Sequence, residues 1–284
     1  MNVADRIRNS NIQVHNREAP VYDAAHPEIF GRFEQQRIAK DIDLIASLIA
    51  TRSCVRVLDI GCGTGNLALK FLNRGYHVRA VDISSQMIEV LRSKVDLTAL
   101  HRIEFIVSDA ADIMTDTRTY GTWDVIAFSS VLHHLPDYQT VLSFCLRQLR
   151  PGGILYVCHE PLPGSTEEKR FGLSLVIRML DRADNIYIYA RKLFVYLVQS
   201  LRNRKLFSRI DYSWSDYHAK IGINADEVIR QLESEGAKTL LYETYRSHFA
   251  SVLTWLDWFL GLPQHSQFRF IMQRHPDDAS RSAG

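Results

Sequence analysis

The sequence predicts an α/β fold, a parallel β-sheet with helices on both faces. Between residues 54 and 160, short apolar runs alternate with segments whose apolar residues recur at helical spacing. The first run leads into a glycine turn, "GCGTG" at residues 61–65. Three successive runs end in an aspartate: Asp59, Asp82 and Asp109. That pattern gathers three carboxylates at the carboxyl edge of one sheet, where open α/β sheets bind their ligands.

Taken in order, residues 1 to about 25 show no sustained period and are expected to be irregular. Residues 27–50, "PEIFGRFEQQRIAKDIDLIASLIA", read as a helix. "CVRVLDI" (54–60) is the first strand, and "GNLALKFLNRG" (65–75) is a helix closed by glycine. "HVRAVDI" (77–83) is the second strand, followed by a helix over 84–95 capped by Ser84. Strands are predicted at 102–110 and 123–130, then a helix over 138–150 stopped by Pro151-Gly152-Gly153, then a fifth strand at 154–160. The alternation then lapses. Residues 161–220 form a basic, helical insert; a helix over 224–236 is capped by Asn224 and stopped by Gly236. Strands at 237–246 and 267–274 flank a helix over 250–262 and extend the same sheet. The organisation is an N-terminal helix and lid (1–50), a core (51–160), a cap insert (161–220), the rest of the sheet (221–275) and a tail (276–284).

At 284 residues and 46% hydrophobic, the chain can bury a substantial core. A formal charge of +2 gives no argument for nucleic acid. The cysteines Cys54, Cys62, Cys145 and Cys158 lack metal-ligand spacing, so no metal site and no disulfide framework are expected. Free thiols and the lack of a leader-like apolar segment suggest a reducing cytoplasm.

"GTGNLA" (63–68) satisfies the loose dinucleotide pattern, which taken alone is weak. Asp59 argues against a pyrophosphate, because a carboxylate in the turn opposes it by about 1 kcal/mol even at water-like dielectric. The same carboxylate suits a ligand bearing an ammonium and a sulfonium, such as S-adenosylmethionine. Asp82, 17 residues after Gly65, suits a ribose diol, and Asp109 an adenine amino group.

"VLDIGCGTG", "VDIS", "SDA", "FSSVLHHL" and "PGGILYV", in this order, resemble the class I S-adenosylmethionine-dependent methyltransferases of the small-molecule type. The resemblance covers roughly residues 50–160 and, more loosely, 220–275. It implies a Rossmann-like, doubly wound sheet of seven strands in the order 3-2-1-4-5-7-6, the last antiparallel. It also implies that Asp59, Gly61, Gly63 and Gly65 cradle the methionine end of the cofactor. Asp82 and Ile83 would hold the ribose, Asp109, Ala110 and Met87 the adenine, and Ser129 would lie beside the sulfur. "APVYDAAHPEIF" resembles a lid segment in which Tyr22 covers the cofactor.

Methyl transfer asks the protein mainly for alignment, which can lower the barrier by about 7–11 kcal/mol. A base is needed when the acceptor is a hydroxyl or a protonated amine. His133, His134, Glu160 and His218 are the candidates. The expected acceptor is a small or lipid-like molecule, methylated on oxygen ahead of nitrogen or carbon. Residues 169–209 hold ten Lys/Arg and two Asp around "NIYIYARKLFVYLVQSL". The favoured reading is a cap helix packed on the sheet with a solvated basic face; peripheral membrane contact is its alternative. An NAD-dependent oxidoreductase and a non-catalytic, membrane-associated regulator that binds the cofactor are the rival functions.

Overall fold

A computed structural model describes residues 3–113, 122–163, 218, 221–246 and 266–276. The N-terminal part is α1 (Val3–Glu18), a 3-10 turn (Ala19–Val21), α2 (Tyr22–Ala25), α3 (Pro27–Phe30) and α4 (Arg32–Leu48). Then β1 (Arg56–Ile60), α5 (Ala68–Asn73), β2 (His77–Asp82), α6 (Ser85–Lys94), β3 (Ile103–Val107) and α7 (Ala110–Ile113) alternate. They are followed by β4 (Trp123–Ser129), α8 (Tyr138–Gln148), β5 (Leu149–Pro161), α9 (Ala225–Ser234), β6 (Ala237–Tyr245) and β7 (Gln267–Arg274).

The sheet has seven strands in the order β3-β2-β1-β4-β5-β7-β6. The β1–β5 block pairs in parallel, and β7 runs antiparallel to both β5 and β6, as expected. Central strands of such sheets are covered on both faces and read as unbroken apolar runs; β4 is buried from Trp123 through Phe128. One face packs Val141, Leu142 and Leu146 of α8 and Val228 and Leu232 of α9. The other packs Ile38, Ile42 and Ile45 of α4, Phe71 of α5 and Ile88 and Leu91 of α6. Each such side chain, fully buried, contributes about 1.5–3 kcal/mol. The expected caps are formed: Ser84 accepts from the Met87 amide at 3.1 Å and Asn224 from that of Glu227 at 3.2 Å.

The N-terminus corrects the sequence reading. Residues 3–18 are one helix rather than irregular chain. Its buried stripe is Ile7, Asn11 and Val14, so an asparagine interrupts the apolar period. The helix predicted over 27–50 is broken at Gly31, which is extended (ψ 154). The fifth strand begins at Leu149, ahead of the Pro-Gly-Gly, and is bulged after Val157. Cys54 is exposed and precedes β1, while the other three cysteines are buried. The cap insert, apart from residues 161–163 and 218, and the predicted helix over 250–262 lie outside the described residues. No described helix is long and apolar enough to cross a membrane.

Candidate active site

The turn after β1 folds back over β2. The amides of Gly61 and Cys62 both donate to the Val81 carbonyl, at 2.8 and 3.0 Å. A Cβ on Gly61 would lie 2.3 Å from Val131, and one on Gly65 2.3 Å from Leu91, so both glycines serve close packing. Gly63 differs: its φ is +53°, and a Cβ there would meet nothing within 4 Å. Its open side is the floor of a cavity of about 350 Å³. Gly65, expected in the cradle, does not line that cavity.

Asp59 sits at the end of β1, 1% exposed, and neither carboxylate oxygen has a hydrogen-bond partner among the described residues. Burial, with the nearby Asp82 charge adding to it, pushes its carboxyl up to about 7. The Ala68 amide and the Lys70 charge oppose that rise without cancelling it, and the Lys70 ammonium gives its hydrogen bonds to the carbonyl and the side chain of Asn66. Asp82 accepts from the Gly63 amide and the Ser84 amide, each at 2.8 Å, and so braces the glycine turn while lining the cavity. Burial raises its pKa too, with His15 opposing. Asp109 accepts from the Ala111 amide at 3.0 Å and pairs with Arg8 Nε at 3.4 Å. Tyr22, Ile83, Met87, Ala110 and Ser129 all line the same cavity.

The four candidate bases separate. Glu160 is fully buried and accepts from the amides of Val131 (2.6 Å), Leu132 (2.8 Å) and His133 (3.3 Å), and contacts His133 Nδ1 at 2.9 Å. Its carboxylate is spent on holding the turn after β4, and it does not reach the cavity as its strand-end position suggested. His133 is locked against it. His218 donates its amide to the His133 carbonyl at 2.8 Å, and its Nε2 meets the Pro136 carbonyl at 3.2 Å. It ties the chain after the insert to that turn, and like His133 and Glu160 it is absent from the cavity lining. His134 alone of the four lines the cavity.

The sequence reading missed the roof. Helix α1 supplies Ile7, Arg8, Asn11 and His15 to the cavity wall. His15 meets the His134 ring edge-on at 5.0 Å. Asn16 accepts from the Ser84 hydroxyl at 2.7 Å, and Asp23 ties the lid to the Thr64 hydroxyl and, at 2.6 Å, to Lys94. Asn66, in the glycine turn, donates to the Ser129 hydroxyl at 3.4 Å and accepts from Gln35 at 2.9 Å. Only the i, i+4, i+7 spacing of Ile7, Asn11 and Val14 hinted at this, and the polar middle member hid it.

A family described as "Methyltransferase domain" matches residues 57–153. Among curated proteins, the ubiquinone biosynthesis O-methyltransferase of Xanthomonas oryzae pv. oryzae is 28% identical over 133 residues, 46% of this chain and 54% of that protein. That of Xylella fastidiosa is 32% identical over 105 residues, 37% of this chain and 42% of that protein. The chain thus spans about half the length of the curated relatives it matches. Among solved structures, phosphoethanolamine N-methyltransferase 2 of Haemonchus contortus, in complex with S-adenosyl-L-methionine, is 14% identical with a TM-score of 0.59, covering 97% of this chain and 60% of that one. The [4+2]-cyclase SpnF is 16% identical with a TM-score of 0.56, covering 93% and 94%. At such identities the likeness is one of fold, and a cyclase among the neighbours shows that fold alone does not fix the reaction. Residues 57–153 match a methyltransferase domain, and the sheet order and glycine turn agree with the Rossmann-like fold of the class I S-adenosylmethionine-dependent methyltransferases, which this chain resembles.

Proposed function

We propose that this chain transfers a methyl group from S-adenosylmethionine to an oxygen of a small-molecule or lipid-like acceptor. One observation carries the reading: Asp59 is buried, unpaired among the described residues, and faces a cavity floored by an open glycine. A buried carboxylate without a partner is costly, and the ammonium of the cofactor's methionine end supplies the missing charge. A pyrophosphate would add a second anion beside it. Asp82 keeps lone pairs for the ribose hydroxyls beyond the two amides it already accepts. Asp109, Ala110 and Met87 would hold the adenine, and Ser129 would sit beside the sulfur.

The bound cofactor supplies a methyl activated by positive sulfur. The protein's share is to orient the acceptor, exclude water beneath the α1 roof and take the acceptor's proton. We assign the last role to a ring nitrogen of His134, the candidate base that lines the cavity. The names of the curated relatives support an oxygen acceptor, and phenolic quinone precursors are the first compounds to assay. With an accepted phenol, His134→Gln should lower kcat by about 10²–10⁴-fold and leave the affinity for S-adenosylhomocysteine unchanged. Release of S-adenosylhomocysteine at the wild-type rate would remove His134 from the reaction.

A further inference from the structure

We propose that the chain carries a second ligand site, for a phosphate-bearing anion, at the amino edge of its sheet, formed by Arg56, Arg79, Arg102 and Trp123. The parallel strands have two edges. The glycine turn and the three acids occupy the carboxyl edge. At the amino edge, Arg56 begins β1, His77 begins β2 and Trp123 begins β4, while Arg102 directly precedes β3. Pairing of Arg56 with His77 and of Arg79 with Glu104 brings these side chains around a cavity of about 240 Å³. Its lining holds three arginines, two histidines and one acid.

That acid, Glu104, pairs with Arg79 Nε at 2.6 Å. Among the described residues neither Arg56 nor Arg102 has a carboxylate partner; the side chain of Arg102 reaches only the Leu72 carbonyl, at 3.5 Å. Asp124 is near but taken: its buried carboxylate holds Arg52, Arg150 and the Arg56 amide. The guanidinium carbons of Arg56 and Arg79 lie over the Trp123 ring, 4.8 and 5.2 Å from its centroid. Trp123 is 3% exposed, yet its indole N–H has no acceptor among the described residues. A buried donor without an acceptor, beside the guanidinia of Arg56 and Arg102 that have no carboxylate partner among the described residues, asks for an anion with several acceptor oxygens. Phosphate matches the guanidinium fork. The cavity is smaller than pockets for drug-sized ligands, which suits a phosphate or diphosphate with its nearest substituent. Soluble phosphate esters and anionic lipid headgroups share that chemistry.

Calorimetric titration of pyrophosphate into the full chain at physiological ionic strength tests the site. Saturable binding is expected, weakened about tenfold or more in Arg56→Gln and several-fold in Trp123→Phe. Glu104→Gln should tighten binding by freeing Arg79, and this variant reads the site even if Arg56→Gln folds poorly. No saturable binding to wild type, or equal affinity in wild type and all three variants, would overturn the proposal. Sedimentation with phosphatidylcholine vesicles, with and without phosphatidic acid, identifies the source. Association that needs phosphatidic acid and is competed by pyrophosphate assigns the site to a headgroup; binding of pyrophosphate without vesicle association assigns it to a soluble ester.

Discussion

At pH 8 the Asp59 carboxyl, with its pKa pushed up to about 7 by burial, is ionised and unpaired among the described residues. Its ordinary value is 3.8, so the folded chain holds an extra proton between about pH 4 and 7. Stability from this group therefore falls as pH rises through that window, and the full penalty stands above it. Asp59→Asn should raise the melting temperature of the free protein at pH 8 by several degrees, the penalty being on the order of 4 kcal/mol at most. The same change should weaken binding of S-adenosylhomocysteine by roughly 10–100-fold, since it removes the ammonium's counter-charge. In wild type that affinity should fall by up to roughly tenfold per pH unit below 7. A flat profile between pH 5.5 and 8 (calorimetry in matched buffers) would detach Asp59 from the ligand. Gly63 gives a steric counterpart. Gly63→Ala places a methyl where nothing lies within 4 Å, so the fold should lose only about 1–2 kcal/mol for a left-handed alanine. Ligand affinity should drop by far more, and equal affinity would mean that the open side of the glycine faces no ligand.

Elements α1 to α3 form the roof, and a titratable clamp joins them. His26 lies between Glu28, at 2.8 Å from Nδ1, and Glu18, at 3.6 Å from Nε2. Burial lowers its pKa, yet the two carboxylates outweigh this and raise it to about 9. A raised histidine contributes stability that is complete below the unfolded value of 6.5 and lost as pH climbs through 9. Wild type should therefore melt above His26→Gln at pH 6, and the gap should close by pH 10, as followed by circular dichroism. A gap independent of pH would show that the ring acts by packing against Tyr22, 4.2 Å away, rather than by charge.

Across the whole molecule, the sheet was legible because its strands are buried on both faces and its helices carry clear apolar stripes. The order of seven strands followed from the resemblance, and β7 fits between β5 and β6 as that implied. The three strand-end acids were legible because position on a parallel strand fixes the edge at which a residue emerges. What each acid touches was not. Arg8 reaches Asp109 across 101 residues, and no local pattern foretells that pairing. Glu160 ends its strand as read, but strand-end position alone does not reveal the three amides of the turn after β4 from which its carboxylate accepts. Helix α1 stayed hidden behind Asn11, and the bulge after Val157, with His159 at φ 58, has no sequence signature.

The central claim is that the cavity at the carboxyl edge takes a sulfonium nucleoside and not a dinucleotide. Titrating S-adenosylhomocysteine and then NAD into the same protein at pH 8 tests it most directly. The account predicts saturable, one-to-one binding of S-adenosylhomocysteine, lost in Gly63→Ala, and no heat of binding from NAD. Tight binding of NAD with indifference to S-adenosylhomocysteine would contradict it.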